Sequence, residues 1–187
     1  ISKPLSRARL AVLRAECDAT PVTGAMRTDV SNLNGEGALA KVRALNPRAV
    51  FVASTGMLRR PLLEACACPV VNYHSGINPA YRGINGGYFA LANGEPEHFG
   101  VTLHLVDLGV DTGPILATNR IVPAVNDNLQ TYMTLMAAKS QDLVVETMAQ
   151  VLTGGAKPMP PSSLPSAQYY APTLGQYLAN GLKRGVW

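Results

Sequence analysis

Apolar positions recur along this chain with two periods, and the points where the period changes mark out its elements. Leu39, Val42 and Leu45 share one face at helical spacing, which predicts a helix over 36–45 stopped by Asn46-Pro47. Ala49 to Ala53 is a short, nearly continuous apolar run bounded by turn residues. It reads as a strand covered on both faces. A short helix over 61–67 and a second buried strand over 69–73 follow. Helix then strand, twice over, implies α/β layering with parallel neighbours. Upstream, Pro4 sits in the first turn of a helix running to about Cys17. Residues 18–35 have no period and read as loop, with a short strand at 21–23. Downstream, 85–93 is helical up to Asn93-Gly94. Residues 99–106 alternate, with Val101, Leu103 and Leu105 on one face and Thr102, His104 and Val106 on the other. Residues 115–122 form a further strand, and 131–152 the longest helix, closed by Gly154-Gly155. Prolines 158, 160, 161, 165 and 172 keep the next stretch extended, before a short helix over 174–181.

These elements sum to an α/β fold: an open, Rossmann-like, mostly parallel sheet with helices on both faces. The expected organisation is a catalytic domain over 1–155, then a proline-rich extended tail with a short terminal helix over 156–187. An open α/β domain ordinarily begins with a buried strand, a tight turn and a helix. This chain begins at Ile1 and on a helix, so its first βα unit is expected to be missing. The 49–53 strand would then need upstream residues or a partner chain along its free edge. Homo-oligomerisation stays open on the same ground.

Composition narrows the class. Hydrophobic residues make up 47% and charged residues 15%, which excludes general disorder. No apolar run nears the roughly 18 residues of a spanning helix, so no membrane is expected. Lys3, Arg7, Arg9 and Arg14 interrupt any secretory h-region. Three cysteines suit a reducing, cytoplasmic setting, and Cys66-Ala67-Cys68 reads as small apolar filling; no metal is expected. The net charge of +4 is mild. Its distribution is uneven: between Pro61 and Thr118 Arg82 is the one cation, against Glu64, Glu95, Glu97, Asp107 and Asp111. His74, His98 and His104 fall in that same window. Such a gathering suits an enzyme with a localised site better than a protein tracking a nucleic-acid backbone.

The stretch from Asn72 to Ile115 carries the chemistry. The 69–73 strand runs into Asn72-Tyr73-His74, and open sheets bind ligands beyond their strand ends. Asn72 and His74, two apart, point the same way on a strand. A carboxamide and an imidazolium are good donors to a carbonyl oxygen that becomes negative. The turn residues from Ser75 through Tyr81, Arg82 and Gly83 wrap a loop around that point. Asp107-Leu108-Gly109-Val110-Asp111-Thr-Gly-Pro114 is a tight loop holding two carboxylates four apart.

Asn-x-His, then Pro-x-Tyr-Arg-Gly, Gly-Val-Thr-x-His and Asp-x-Gly-x-Asp-Thr-Gly-Pro-Ile, in that order, resemble the folate-dependent formyltransferases. Members of that family formylate initiator methionyl-tRNA, glycinamide ribonucleotide and amino sugars from 10-formyltetrahydrofolate. The resemblance covers about 45 residues strongly and extends weakly from about Gly37 to Leu152. It implies a catalytic trio of Asn72, His74 and Asp111. In this scheme Asn72 and His74 stabilise the oxyanion, while Asp111 orients or charges His74 and helps remove the amine proton. It implies a pterin site around Met57, Leu58, Val106, Asp107, Leu108 and Val110. Ser75, Tyr81, Arg82 and His104 are candidates for lining the acceptor side. Neither the tRNA enzymes' nor the purine enzymes' residues follow Arg82-Gly83, so the expected acceptor is a small-molecule amine. The shortness of 156–187 weighs against tRNA.

Blander roles stand beside these. Asp107 reads as loop-shaping, Arg82 as pinning its loop, His98 as solvated, and Tyr88 and Phe89 as core. His104 stays open between a site-lining group and a satisfied interior histidine. Two rival activities remain: hydrolysis of formyltetrahydrofolate, with water in place of the amine, and non-catalytic folate or partner binding.

Overall fold

The computed structural model describes residues 3–20, 23, 24 and 27–187, with side chains from Ser6 onward. Helix α1 (Lys3–Ala15) is followed by irregular chain, and Pro21 and Val22 of the expected short strand lie outside the described residues. Helix α2 (Glu36–Leu45) ends where Asn46 turns left-handed at φ 42°, ahead of Pro47. Strand β1 (Val50–Ala53), helix α3 (Arg60–Cys66) and strand β2 (Val70–His74) follow. After them come β3 (Arg82–Gly83), α4 (Gly86–Asn93), β4 (Gly100–Leu105) and β5 (Ile115–Arg120). The chain closes with α5 (Tyr132–Ala138), α6 (Gln141–Thr153), β6 (Gln168–Tyr169) and α7 (Leu174–Arg184).

The expected single helix over 131–152 is two helices. The break falls at Lys139-Ser140, where Asn119 of β5 donates to the Lys139 carbonyl (2.7 Å) and to Ser140 Oγ (3.2 Å). A side chain from a distant strand takes the carbonyl that would otherwise continue the helix. Helix α7 runs past Gly181 to Arg184; a Thr173/Gln176 capping box starts it and Gly185, at φ 69°, stops it.

The main sheet is open, with order β1-β2-β4-β5. β1, β2 and β5 run in one direction and β4 runs against them. Because β4 lies between β2 and β5, β1–β2 is the parallel pairing and the other two are antiparallel. Among the described residues no strand pairs with the outer edge of β1.

Alternation along β2 sorts the interior into two layers. Val70 packs with Leu39 of α2 and Leu62, Ala65 and Cys66 of α3. Its neighbour Val71 packs on the opposite face with Leu103 and α6 residues Leu143, Val144, Met148 and Val151. A third cluster joins Leu13, Tyr88, Phe89, Phe99, Val101, Leu135, Met136 and Val186. Segment 156–187 returns to this body. β6 pairs with β3, Tyr177 packs on the third cluster, and the Trp187 carbonyl accepts from Leu129 N–H. No helix among the described residues is long and apolar enough to cross a membrane.

One buried ion pair fastens α1. Arg9 makes a two-pronged contact with Asp127 (2.8 and 3.1 Å), and Asp127 also accepts from Ala124 N–H and Thr131 Oγ1. Burial pushes the Asp127 carboxyl up, but the Arg9 and backbone hydrogen bonds outweigh it and hold the group below its ordinary value. A depressed folded-state value stabilises the fold above the unfolded pKa, near 3.9, and is lost as pH falls through the folded one. Asp127→Ala, which leaves part-buried Arg9 with the longer Glu16 contact (3.9 Å) and takes the acceptor from Ala124 N–H and Thr131, is expected to cost about 2 kcal/mol in urea unfolding at pH 7. The gap from the parent should shrink in acid. An unchanged midpoint at pH 7 would show that the pair contributes nothing.

Candidate active site

The face of β2 that carries Val70 continues through Asn72 and His74. In the antiparallel register Asn72 lies opposite His104 and His74 opposite Thr102, so four polar side chains share one patch beyond the α2–α3 layer. A bulge at Leu103/His104, where β4 and β5 lose register, sits beside this patch.

Asp111 closes it from the side. The residue is left-handed at φ 51°, an uncommon state for a side chain other than glycine, and best tolerated by Asn and Asp. Several contacts hold that conformation. The Asp111 carbonyl accepts from Asn78 Nδ2 (3.0 Å) and Arg82 Nη1 donates to the Val110 carbonyl (2.8 Å). Asp107 caps its own turn, accepting from Gly109 N–H (2.9 Å) and Thr112 Oγ1 (2.7 Å). Asp107 and Arg82 therefore shape the loop.

The Asp111 carboxylate gathers the patch. Oδ1 accepts from Asn72 Nδ2 (3.0 Å) and lies 3.2 Å from His104 Nε2; Oδ2 accepts from Gly83 N–H (2.8 Å) and lies 3.4 Å from His74 Nδ1. Burial acts to raise its pKa. The His104 contact, charge at His74 and the Gly83 N–H outweigh that and hold it below the carboxylate range. His104 is buried. Its Nδ1 donates to the Leu105 carbonyl (2.8 Å), and its Nε2 lies 3.1 Å from Asn72 Nδ2, beside the Asp111 contact.

His74 is 4% exposed. Its Nε2 donates to the Tyr81 carbonyl (2.6 Å), which turns Nδ1 toward Asp111. The trio alone would raise the His74 pKa. In the folded chain burial pushes it down, and outweighs the opposing pull of Asp111 and the Tyr81 carbonyl.

The patch opens into a cleft of about 530 Å³. Val52, Met57, Leu58, Val106 and Val110 form an apolar side, with Asn72, His74, His104, Asp107 and Asp111 at the base. Ser75, Gly83, Ile84, Asn85, Met133, Gln168, Tyr169 and Tyr170 form the other side. Leu108 is exposed and lies outside the wall, and Tyr81 and Arg82 also lie outside it. Tyr81 is buried at 2% exposure and gives the site its carbonyl rather than its ring. His98, expected to be solvated, is half-buried with Nδ1 on Glu95 Oε2 (3.0 Å). Tyr88 and Phe89 lie in the core. Sequence reasoning missed Gln168–Tyr170, which reach the cleft through a two-residue strand, and Gly76. A Cβ at Gly76 would meet His74 Nε2 at 2.6 Å and crowd the Tyr81 carbonyl, so glycine is needed for the loop to close over the histidine. Among the described residues no cluster of three or more His, Cys, Asp or Glu could hold a metal.

A methionyl-tRNA formyltransferase of Roseiflexus is 36% identical over 166 residues, 84% of this chain and 49% of the relative. One from Thermodesulfovibrio yellowstonii is 34% identical over 65% of this chain and 40% of its own length. The chain thus spans less than half the length of these curated relatives. Among solved structures, a sugar N-formyltransferase from Shewanella superposes with a TM-score of 0.62 at 20% identity, over 95% of this chain and 76% of that one. A formyltransferase from Anoxybacillus kamchatkensis, solved with a UDP-linked formamido sugar and tetrahydrofolate, gives 0.61 at 19% identity, over 86% and 78%. At such identity the likeness is one of fold. The Formyl transferase family model matches residues 4–148, and the chain belongs to that family.

Proposed function

We propose that this chain transfers a formyl group from 10-formyltetrahydrofolate to an acceptor amine. The observation that carries the reading is the convergence of Asn72, His74, His104 and Asp111 at the base of a cleft with one apolar side. That side, made by Val52, Met57, Leu58, Val106 and Val110 with strand-end backbone beside them, suits a flat heteroaromatic ring with polar edges. Bound there, the donor supplies an already activated formyl carbon, so the chain's task is to place charge and move one proton.

Asn72 offers carboxamide N–H groups, now shared between Asp111 and His104, to an oxygen gaining negative charge. With Nε2–H committed to Tyr81, the Nδ1 lone pair of neutral His74 takes the proton from the attacking amine. Asp111, ionised and 3.4 Å away, stabilises the imidazolium that forms. His74 therefore acts as base, not as the standing imidazolium donor that the motif implies.

The proposed acceptor is a small-molecule amine. Among the described residues no Lys or Arg lines the cleft, and Asp107 and Asp111 do; this favours an amine end without phosphate beside it. A second reading, methionyl-tRNA, is favoured by the 34–36% identity to enzymes of that name. Release of formate without an acceptor would identify a hydrolase, and binding without turnover a folate-binding protein.

Calorimetry with 5-formyltetrahydrofolate, a stable analogue, is expected to give micromolar or tighter binding. No heat and no thermal shift would overturn the donor assignment. Transfer assays with amino sugars and with methionyl-tRNA then identify the acceptor.

His74→Ala and Asp111→Asn should each lower transfer by about 100-fold or more, with folate affinity little changed. The double variant should be barely worse than either single one, since the two side chains act as a unit. Additive losses would mean that Asp111 only shapes its loop.

The pH profile separates the two roles of His74. A base with a lowered pKa gives a rate that rises with pH, through a point below the ordinary histidine value near 6.5, and is level at neutrality. A rate that falls as pH climbs through that region would restore the imidazolium as the working form.

A further inference from the structure

Tyr81 stands at the meeting of the catalytic histidine, a cluster of polar groups on the far side of the loop, and the C-terminal segment. Its carbonyl accepts from His74 Nε2 at 2.6 Å. Its side chain runs the other way: Oη donates to Glu95 Oε2 at 2.6 Å and accepts from Asn93 Nδ2 at 3.3 Å. Glu95 is itself held by His98 Nδ1 at 3.0 Å. The Tyr81 ring is stacked on Tyr169, with centroids 5.2 Å apart and planes inclined by 17°. Tyr169 is fixed in turn by Asn93, which donates to its hydroxyl (3.0 Å), and by the pairing of β6 with β3.

We infer that Tyr81 is a positioning residue for His74: the phenol, anchored by Glu95 and clamped by Tyr169, fixes the carbonyl that selects the Nε2–H tautomer. The inference rests on the base role proposed for His74. The Tyr81 carbonyl lies in the Tyr81–Arg82 peptide plane, whose N–H end donates to the Ala167 carbonyl at 3.0 Å, and the side chain, held at its hydroxyl and its ring, fixes the Cα on which that plane hinges. Burial pushes the phenol's pKa up, so it stays a donor, and the Glu95 carboxyl is held below its ordinary value by that bond and by His98. With Nε2–H committed, the lone pair is at Nδ1, facing Asp111 and the cleft. If the carbonyl drifts, the Nδ1–H tautomer becomes available. It would donate to Asp111, and the base would lose its accepting nitrogen. The bond acts on proton transfer and not on substrate binding. Segment 167–169 belongs to the same device: Arg82 N–H donates to the Ala167 carbonyl and Ile84 N–H to the Tyr169 carbonyl, on either side of the clamp.

The test uses the full chain labelled with ¹⁵N-histidine, and the variants Tyr81→Phe and Glu95→Gln. In the parent, His74 should show a protonated, exchange-protected Nε2 and an unprotonated Nδ1. In each variant that proton should exchange about tenfold faster. The value of kcat should fall by about three- to tenfold with KM for both substrates unchanged, the scale of one weakened charge-assisted hydrogen bond. The double variant should match Tyr81→Phe, since both substitutions act on one bond, which Tyr81→Phe removes and Glu95→Gln weakens by taking away its charge. Glu95 is half exposed, so Glu95→Gln decides the matter even where Tyr81→Phe fails to fold. Folded variants with parental exchange and parental kcat would reduce Tyr81 to a core residue, and a parental Nδ1–H tautomer would overturn the assignment outright. If the parent transfers no formyl group, the function reading fails, while the exchange comparison still decides whether Tyr81 sets the tautomer.

Discussion

The Asp111 carboxylate is the constraint on which the rest of the site depends. Its two oxygens meet Asn72, His104, Gly83 N–H and His74, four groups contributed by three strands. Few positions could deliver a carboxylate there. Asp111 reaches the point because its backbone is left-handed, and that conformation is held by Asn78 on its carbonyl and Arg82 on the preceding one. Local strain of this kind persists where surrounding contacts over-determine it. An ionised carboxylate in a half-closed site needs such donors, because burial alone would favour its neutral form.

The sheet explains how these groups come together. One face of β2 begins as an apolar floor at Val70 and ends as a polar patch at Asn72 and His74, with β4 adding Thr102 and His104 in register. The opposite face stays apolar and is sealed by α6. The chemistry therefore sits on a rigid strand end, and the segments around it supply backbone groups: the Gly83 N–H, the Tyr81 carbonyl and the Leu105 carbonyl. The C-terminal segment completes the far wall.

Local punctuation made much of this legible. Asn46-Pro47, Asn93-Gly94 and Gly154 end helices where the chain says they should, and the alternation over 99–106 places Thr102 and His104 on the site face. Asn72, His74 and Asp111 meet as their motifs imply, and Asp107 and Arg82 hold loops. Features that depend on distant contacts were not legible. Asn119, from β5, splits the long helix. The return of Gln168–Tyr170 rests on a two-residue pairing too short to leave a period. The burial of His74, which acts against its charged form, is not legible in the spacing of Asn72, His74 and Asp111. Burial comes from Gly76 and Gly86, whose missing side chains let the 75–86 loop fold tightly over the ring. Tyr81, a candidate lining residue, instead points its side chain away from the cleft, to Glu95, Asn93 and Tyr169.

The account makes the Asn72–His74–Asp111 patch the place where the formyl carbon is presented, with the apolar side of the cleft holding the ring that carries it. A crystal structure of this chain with 5-formyltetrahydrofolate tests that most directly. The account predicts the pterin against Val52, Leu58, Val106 and Val110, and the formyl group within about 3–3.5 Å of Asn72, His74 or Asp111, the range of a reactive approach. A folate bound elsewhere, or seated in the cleft with its formyl group turned away from Asp111, would contradict it.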